Sequence, residues 1–281
     1  MVTRGADALL FECGEGTQRQ MLRYGATFAL NEIYFTHFHA DHFLGIIGLV
    51  RTLGLQGRTD PLRLFGPRGG RKLLAQALAL GVERQVFEVE VAEVEPGQVL
   101  AREGYELRVF GVEHGAPAVG YALVEQQRLG RFDPDRAREL GVPEGPLWGK
   151  LQRGQPVRLD DGREVAAETI VGPPRSGRTL VYSGDTRPCA ATIEAARGAD
   201  LLVHEATFAE EERDRARETD HATAQEAAEV ARMAGVRRLV LTHLSARYSR
   251  DPSTLLDEAR AVFPETVVAK DGMEIEVPLQ D

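Results

Sequence analysis

The sequence predicts a layered α/β domain, with helices packed outside buried sheets. Short apolar strands alternate with helices along most of the chain. Polar, chemistry-bearing residues recur directly after strands, where α/β sheets present their functional groups. At 281 residues the chain is also long enough to bury a sizeable core.

Asp7–Glu12 (DALLFE) reads as a strand, ended by the turn Cys13-Gly14-Glu15-Gly16. Thr17–Tyr24 follows as a helix capped by Thr17 and stopped by Gly25. Glu32–Thr36 is a short strand running into His37-Phe38-His39-Ala40-Asp41-His42, and Phe43–Leu53, poor in charge, reads as a buried helix. Pro61–Phe65 predicts a strand and Gly69–Leu80 a helix, with further strands at Gln85–Val91, Leu107–Val112 and Gly120–Val124. The stretch 126–178 differs in kind: it is rich in Gly, Pro and Arg, with hairpin-like signals at Asp160-Asp161-Gly162 and Pro173-Pro174. Alternation returns with strands at Thr179–Ser183, Leu201–His204, Arg238–Thr242 and Thr266–Ala269, and helices at Pro188–Arg197, Ala222–Ala234 and Pro252–Val262. The whole, 1–281, is read as a single domain.

Hydrophobic residues make up 43% and charged residues 27%, which excludes a disordered or fibrous chain. Two cysteines, Cys13 and Cys189, cannot build a disulfide framework, so the expected compartment is the reducing cytoplasm. No apolar run approaches the roughly 18 residues of a membrane span, and the N-terminus lacks a signal-peptide pattern. A net charge of −9 argues against nucleic-acid binding over the whole surface but leaves room for a local basic site.

The chain has seven histidines, and three of them, His37, His39 and His42, fall within six residues, with Asp41 among them. The spacing H-x-H-x-D-H in a loop leaving a strand gathers imidazoles and a carboxylate around one point, the donor set that Zn²⁺ takes. One loop cannot close such a site. His114, Asp185 and His243 each follow a predicted strand and supply the remaining donors. Five histidines and two aspartates exceed what one tetrahedral ion uses. The expected arrangement is two ions: His37, His39 and His114 on one, Asp41, His42 and His243 on the other, and Asp185 bridging. Two ions about 3.5–4 Å apart clamp the attacking and leaving oxygens of a displacement at phosphorus. That is the site of a hydrolase.

This pattern resembles the metallo-β-lactamase superfamily, whose fold is a four-layer αβ/βα sandwich. Narrower motifs, Cys13-Gly14-Glu15-Gly16-Thr17-Gln18-Arg19-Gln20, Ser183-Gly184-Asp185-Thr186-Arg187-Pro188-Cys189, His204-Glu205-Ala206-Thr207-Phe208 and Thr242-His243-Leu244-Ser245-Ala246-Arg247-Tyr248, resemble the ribonuclease Z family of tRNA 3′-processing endonucleases. The resemblance implies two zinc ions per subunit, with manganese as the alternative. It also implies cleavage of precursor tRNA after the discriminator base, and a homodimer in which one subunit's arm serves the other's active site. It makes 126–178 an arm-like insertion that grips the tRNA body. Within Gln126–Arg158 seven bases stand against four acids, and Arg128, Arg131, Lys150 and Arg153 are candidate contacts. Trp148, the single Trp, is either a hydrophobic anchor or a stacking platform.

By the same resemblance His221, paired with Glu205, is the group that protonates the leaving 3′ oxygen, a fitting task for an imidazole held cationic by a carboxylate. Asp41 is expected to be both a metal ligand and the acceptor of the attacking water's proton. Arg247 and Tyr248 are expected phosphate contacts, Arg19 and Gln20 fold-stabilising residues, and His204 either a support of the ligands or structural. Relatives begin one strand and one glycine-rich loop earlier, so the resemblance implies that the usual first strand is lacking. Glu12 and Ala222 stand where relatives often have Asp and Ser, and neither is expected to touch a metal ligand. The rivals are another dinuclear metal phosphodiesterase of this fold and a tRNA-binding relative whose short N-terminus has impaired catalysis.

Overall fold

A computed structural model describes residues 1–82 and 84–280. Its first half runs β1 (Val2–Arg4), β2 (Asp7–Phe11), α1 (Thr17–Tyr24), β3 (Glu32–Tyr34), α2 (Ala40–Phe43), α3 (Ile46–Leu55), β4 (Leu62–Gly66), α4 (Gly70–Leu78), β5 (Val89–Glu93), β6 (Val99–Arg102), β7 (Tyr105–Gly111) and β8 (Val119–Glu125). Then come α5 (Pro134–Glu139), α6 (Pro146–Gln152), β9 (Val157–Arg158), β10 (Glu164–Val165), β11 (Thr179–Tyr182), α7 (Ala190–Ala195), β12 (Leu201–Glu205), α8 (Arg213–Glu218), α9 (Ala224–Ala234), β13 (Leu239–Thr242), α10 (Ser253–Val262) and β14 (Thr266–Val268).

The strands form a five-stranded sheet, β1-β2-β3-β4-β5, and a seven-stranded sheet, β14-β13-β12-β11-β8-β7-β6, beside the small hairpin β9–β10. Pairing is parallel from β2 to β5 and from β11 to β14, as helical crossovers require. Side-chain alternation sorts the two faces of the first sheet. Ala8, Leu10, Ile33, Phe35, Leu62 and Leu64 pack outward into a core with Met21, Ile46, Leu49 and Leu74 of the helices. The alternate residues Phe11, Tyr34 and Phe65 stack in a row, with centroids 5.3 and 4.9 Å apart. That row meets Tyr121 of β8 and Tyr182 of β11, so aromatic rings fill the space between the sheets.

Contacts divide the chain into two compact units. The larger comprises Met1–Ala101, Leu107–Leu123 and Thr179–Glu276; the smaller comprises Arg102–Glu106, Val124–Arg178 and the stretch from Val277. The smaller has its own core of Ala137, Val142, Leu151, Val157, Val165 and Ile170, against which Trp148 packs. Trp148 donates its indole N–H to the Val142 carbonyl (3.1 Å) and lies 5.0 Å from the Phe132 ring, which makes it an anchor rather than a stacking platform.

Several elements differ from the sequence reading. Val2–Arg4, unassigned there, pairs antiparallel with β2 across a turn at Gly5, whose φ is +56°. Gly16, not Thr17, caps α1, and the Thr17 hydroxyl instead donates to the Gly14 carbonyl. The single helix expected over Phe43–Leu53 is two, broken at Gly45, where a side chain would strike the Gly14 carbonyl. Asp160-Asp161-Gly162 does turn a hairpin, whereas Pro173-Pro174 lies in extended chain bridged to the Arg128 segment. The four helices and strands α5, α6, α8 and β6 are short and had no assignment; tertiary packing overrides weak local pattern there.

Candidate functional site

The candidate ligands come from the carboxyl ends of four strands. His37, His39, Asp41 and His42 follow β3, His114 follows β7, Asp185 follows β11 and His243 follows β13. The Cys13-Gly14 turn is the floor beneath the first of these loops. Cys13 N–H donates to the His42 carbonyl and Gly45 N–H to the Cys13 carbonyl, both at 2.8 Å. Gly14 has no room for a side chain, since a Cβ there would lie 2.0 Å from the Asp41 carbonyl oxygen.

The side chains gather as two linked groups. In the first, His39 Nδ1 lies 3.1 Å from His37 Nε2 and 3.2 Å from His114 Nε2. In the second, His42 Nε2 lies 3.3 Å from His243 Nε2, and Asp41 Oδ2 is 3.5 and 3.6 Å from those two atoms. Asp185 Oδ2 stands between the groups, 3.2 Å from His42, 3.3 Å from His243 and 3.7 Å from His37. Ligands about 2.0–2.1 Å from a tetrahedral ion are roughly 3.4 Å from one another, so these spacings fit two divalent-ion sites sharing one carboxylate. His37 and Asp185 are buried, while Asp41 and His39 are exposed and leave one side open to solvent.

Second partners turn the imidazoles of His37, His42, His114 and His243 so that one nitrogen faces the site. His37 Nδ1 donates to the Thr36 hydroxyl (3.1 Å), His114 Nδ1 to the Asp220 carbonyl (3.0 Å) and His243 Nδ1 to the Thr207 hydroxyl (2.9 Å). His42 Nδ1 lies 3.7 Å from Glu12 Oε1, and that oxygen also accepts from Thr36 N–H (2.8 Å) and from the Thr36 hydroxyl. Glu12 therefore does reach a candidate ligand, contrary to expectation, because its longer side chain and φ of +62° turn it under the site. Ala222 touches none; its N–H donates to Glu205 (3.1 Å).

Glu205, wholly buried, is a hub. Oε1 accepts from Thr186 N–H (2.9 Å) and His221 Nδ1 (2.8 Å), and Oε2 accepts from the Thr207 hydroxyl (2.8 Å). His221 is not the first residue of a helix but sits in the loop before α9, its ring stacked 5.3 Å from that of His243. Among the described residues three non-glycine positions have left-handed φ, Glu12, Asp220 and His243, and all three border this site. Backbone strain of about 1–3 kcal/mol each is concentrated where the chemistry is.

Electrostatics follow the packing. Burial and the charge of His42 push His37 down to about 3. Burial also opposes charge on His42, His243 and His221, yet carboxylate partners outweigh it: Asp185 and Glu12 raise His42 to about 10, Asp41 and Asp185 raise His243, and Glu205 raises His221. Asp41, hydrogen-bonded by His243, is held well below the usual carboxylate range. Asp185 is low as well, because His42 and His243 outweigh its burial.

The remaining candidates lie outside the two donor groups. His204 is buried in β12, with Nδ1 on the Glu205 carbonyl (2.7 Å), and faces none of the ligands. Arg247 and Tyr248 share the carboxylate of Glu212, with the Tyr248 hydroxyl donating at 2.6 Å. Arg128, Arg131, Lys150 and Arg153 belong to the smaller unit, and of these Arg131, Lys150 and Arg153 are exposed. Gln20 donates to Asp271 (2.6 Å), a fold contact. Glu12, Thr36, Thr186, Thr207 and the Asp220 carbonyl escaped sequence reasoning. Isolated threonines and a backbone oxygen carry no spacing signal, and only the motifs around Asp185-Thr186 and His204-Glu205-Ala206-Thr207 pointed near them.

Residues 149–244 match the beta-lactamase superfamily domain. The chain is 58% identical to ribonuclease Z of Gemmatimonas aurantiaca, covering all of this chain and 90% of the relative. It is likewise 58% identical to ribonuclease Z of Myxococcus xanthus, over 98% of this chain and 90% of that one. Among solved structures it resembles human tRNase Z, short form, at 25% identity and a TM-score of 0.68, covering 99% of this chain and 91% of that one. Such fold and relatives imply a divalent-metal centre, for which the His and Asp groups are candidates. With this identity maintained from end to end, the chain belongs to the ribonuclease Z family of the metallo-β-lactamase superfamily.

Proposed function

We propose that this chain removes the 3′ trailer from precursor tRNA by a water-driven cut after the discriminator base, using two zinc ions per subunit. As a ribonuclease Z it is a tRNA 3′-processing endoribonuclease. The single observation that carries the two-ion reading is Asp185 Oδ2 placed within 3.2–3.7 Å of His42, His243 and His37, at the junction of the two donor groups. His37, His39 and His114 would hold one ion, Asp41, His42 and His243 the other. When bound, the ions lower the pKa of water and offset charge at the phosphate.

The chain's own groups do the rest. Asp41, ionised and exposed, accepts a proton from the attacking water. As the P–O3′ bond breaks, His221 gives its proton from Nε2 to the departing 3′ oxygen, because Glu205 occupies Nδ1 and keeps the ring charged. The products are a tRNA 3′ hydroxyl and a trailer 5′ phosphate. Arg247 and Tyr248 contact substrate phosphates, and the smaller unit serves as an arm on the tRNA body.

The homodimer reading follows the family resemblance, in which one subunit's arm serves the other's active site. Among the described residues no helix is long and apolar enough to cross a membrane, consistent with a cytoplasmic enzyme. The test is cleavage of 5′-labelled precursor tRNA by metal-loaded protein, beside Asp41→Ala. One cut after the discriminator base, reduced at least about 100-fold in the variant, is expected. An uncut precursor with two ions bound would overturn the reading.

A further inference from the structure

We infer that Glu212 is a positioning residue: its carboxylate fixes the Arg247 guanidinium and the Tyr248 hydroxyl at the rim of the site, oriented for the RNA backbone. This rests on the reading of Arg247 and Tyr248 as phosphate contacts.

Glu212 closes a 3-10 turn, Glu210–Glu212, four residues after Phe208, while Arg247 and Tyr248 occupy a second such turn, Ala246–Tyr248, just after His243. One carboxylate serves both: Oε1 accepts from Arg247 Nη1 and Oε2 from the Tyr248 hydroxyl at 2.6 Å. The Tyr248 oxygen also accepts from Ala209 N–H (3.3 Å), and Ser245 N–H donates to the Thr207 carbonyl (3.1 Å), so four hydrogen bonds stitch the two loops together. The Glu212 side chain is 19% exposed and that of Arg247 40%, which places the acid inward and the cation outward. Arg247 lies over the Phe208 ring, 5.9 Å from its centroid; Arg215 lies over the same ring at 5.8 Å, and His221 neighbours it at 6.2 Å. The cation is thereby held two ring contacts from the imidazole assigned to the leaving oxygen.

A guanidinium carries five N–H donors, so a contact to Glu212 leaves others in the same rigid plane for a phosphate. A tethered arginine loses less rotamer freedom on binding than one waving in solvent. The carboxylate also subtracts charge from the rim, and the net effect on affinity separates the two roles. If orientation governs, removing the acid weakens RNA binding; if charge governs, removing it tightens binding.

The experiment compares steady-state cleavage of precursor tRNA by metal-loaded full chains: wild type, Glu212→Gln, Arg247→Ala and the double variant. Glu212→Gln is expected to raise KM about tenfold, the scale of one charge-assisted contact, with kcat within about twofold and bound metal unchanged. The double variant should lose less than the sum of the two single losses, since Glu212 acts in part through Arg247. Glu212→Asp, retaining the charge but reaching less far, should recover part of the loss. A KM unchanged or lowered in Glu212→Gln, additive losses, or loss of metal would each overturn the inference. An Arg247→Ala variant with wild-type KM and salt dependence would instead remove the phosphate reading itself, and Glu212's role with it. If Arg247→Ala raises KM and Glu212→Gln does not, that reading stands and only the inference falls.

Discussion

Glu205 shows how one buried side chain sets the chemistry of another. Its carboxylate is wholly buried, yet donors surround both oxygens, so neither is left unpaired away from water. That carboxylate raises His221 against the effect of burial. The sign follows directly: replacing the carboxylate by an amide lowers the pKa of His221, so the protonated acid is lost at lower pH. In Glu205→Gln the alkaline limb of the cleavage pH profile should move down, and an unmoved limb would detach Glu205 from proton transfer. His221→Ala should reduce kcat by about 10²–10⁴ while leaving bound metal in place, as measured by single-turnover cleavage and elemental analysis. Gly14 is a steric counterpart. A methyl there would overlap the Asp41 carbonyl, a backbone atom that cannot swing aside. Gly14→Ala should cost about 3 kcal/mol and displace the ligand loop, read as a lower Tm and reduced metal content.

At the scale of elements, the strands deliver chemistry and the insertion is a separable body. Each donor segment sits at a strand's carboxyl end, so the parallel register of β11, β12 and β13 brings Asp185, Glu205 and His243 to one edge. The insertion closes on itself: Glu125 N–H donates to the Arg178 carbonyl (2.9 Å), and the two side chains form an ion pair at 2.6 Å. Its ends are thus adjacent, and its core does not draw on the sheets. Joining Glu125 to Arg178 by a short linker should leave hydrolysis of a small phosphodiester such as bis(p-nitrophenyl) phosphate near wild type while abolishing efficient tRNA cleavage. Equal loss on both substrates would refute the arm reading. Within 126–158 the acids Glu139, Asp135 and Glu144 are taken up by Arg136 and Arg138, which are not among the candidate contacts Arg128, Arg131, Lys150 and Arg153.

For the molecule as a whole, folding builds a proton-loaded metal centre. Without metal His42, raised to about 10 by Asp185 and Glu12, carries a proton at neutral pH, and Asp41 and Asp185 raise His243 as well. Coordination needs neutral imidazoles, so loading releases protons and apparent metal affinity rises with pH. Calorimetric titration of metal in two buffers of different ionisation enthalpy should give different heats; equal heats would mean the site is already deprotonated. Chelation should remove the bonds that tie the donor loops together and lower Tm, restored by adding the metal back.

What the sequence by itself determined was the donor inventory and its order. Rare histidines in H-x-H-x-D-H spacing, and single His or Asp residues after apolar strands, point to one metal-binding edge because strand ends converge in an α/β fold. The Glu205–His221 pair was legible only through motif resemblance, for no periodicity links positions sixteen residues apart. The tertiary structure alone decided the supports: the threonine hydroxyls on His37 and His243, the Asp220 carbonyl on His114, and the approach of Glu12 to His42. It also paired Arg247 and Tyr248 with Glu212. These are long-range contacts made by common residue types or by backbone atoms. Their identity leaves no trace in a local pattern, and only the packing of the two sheets brings them within hydrogen-bond reach.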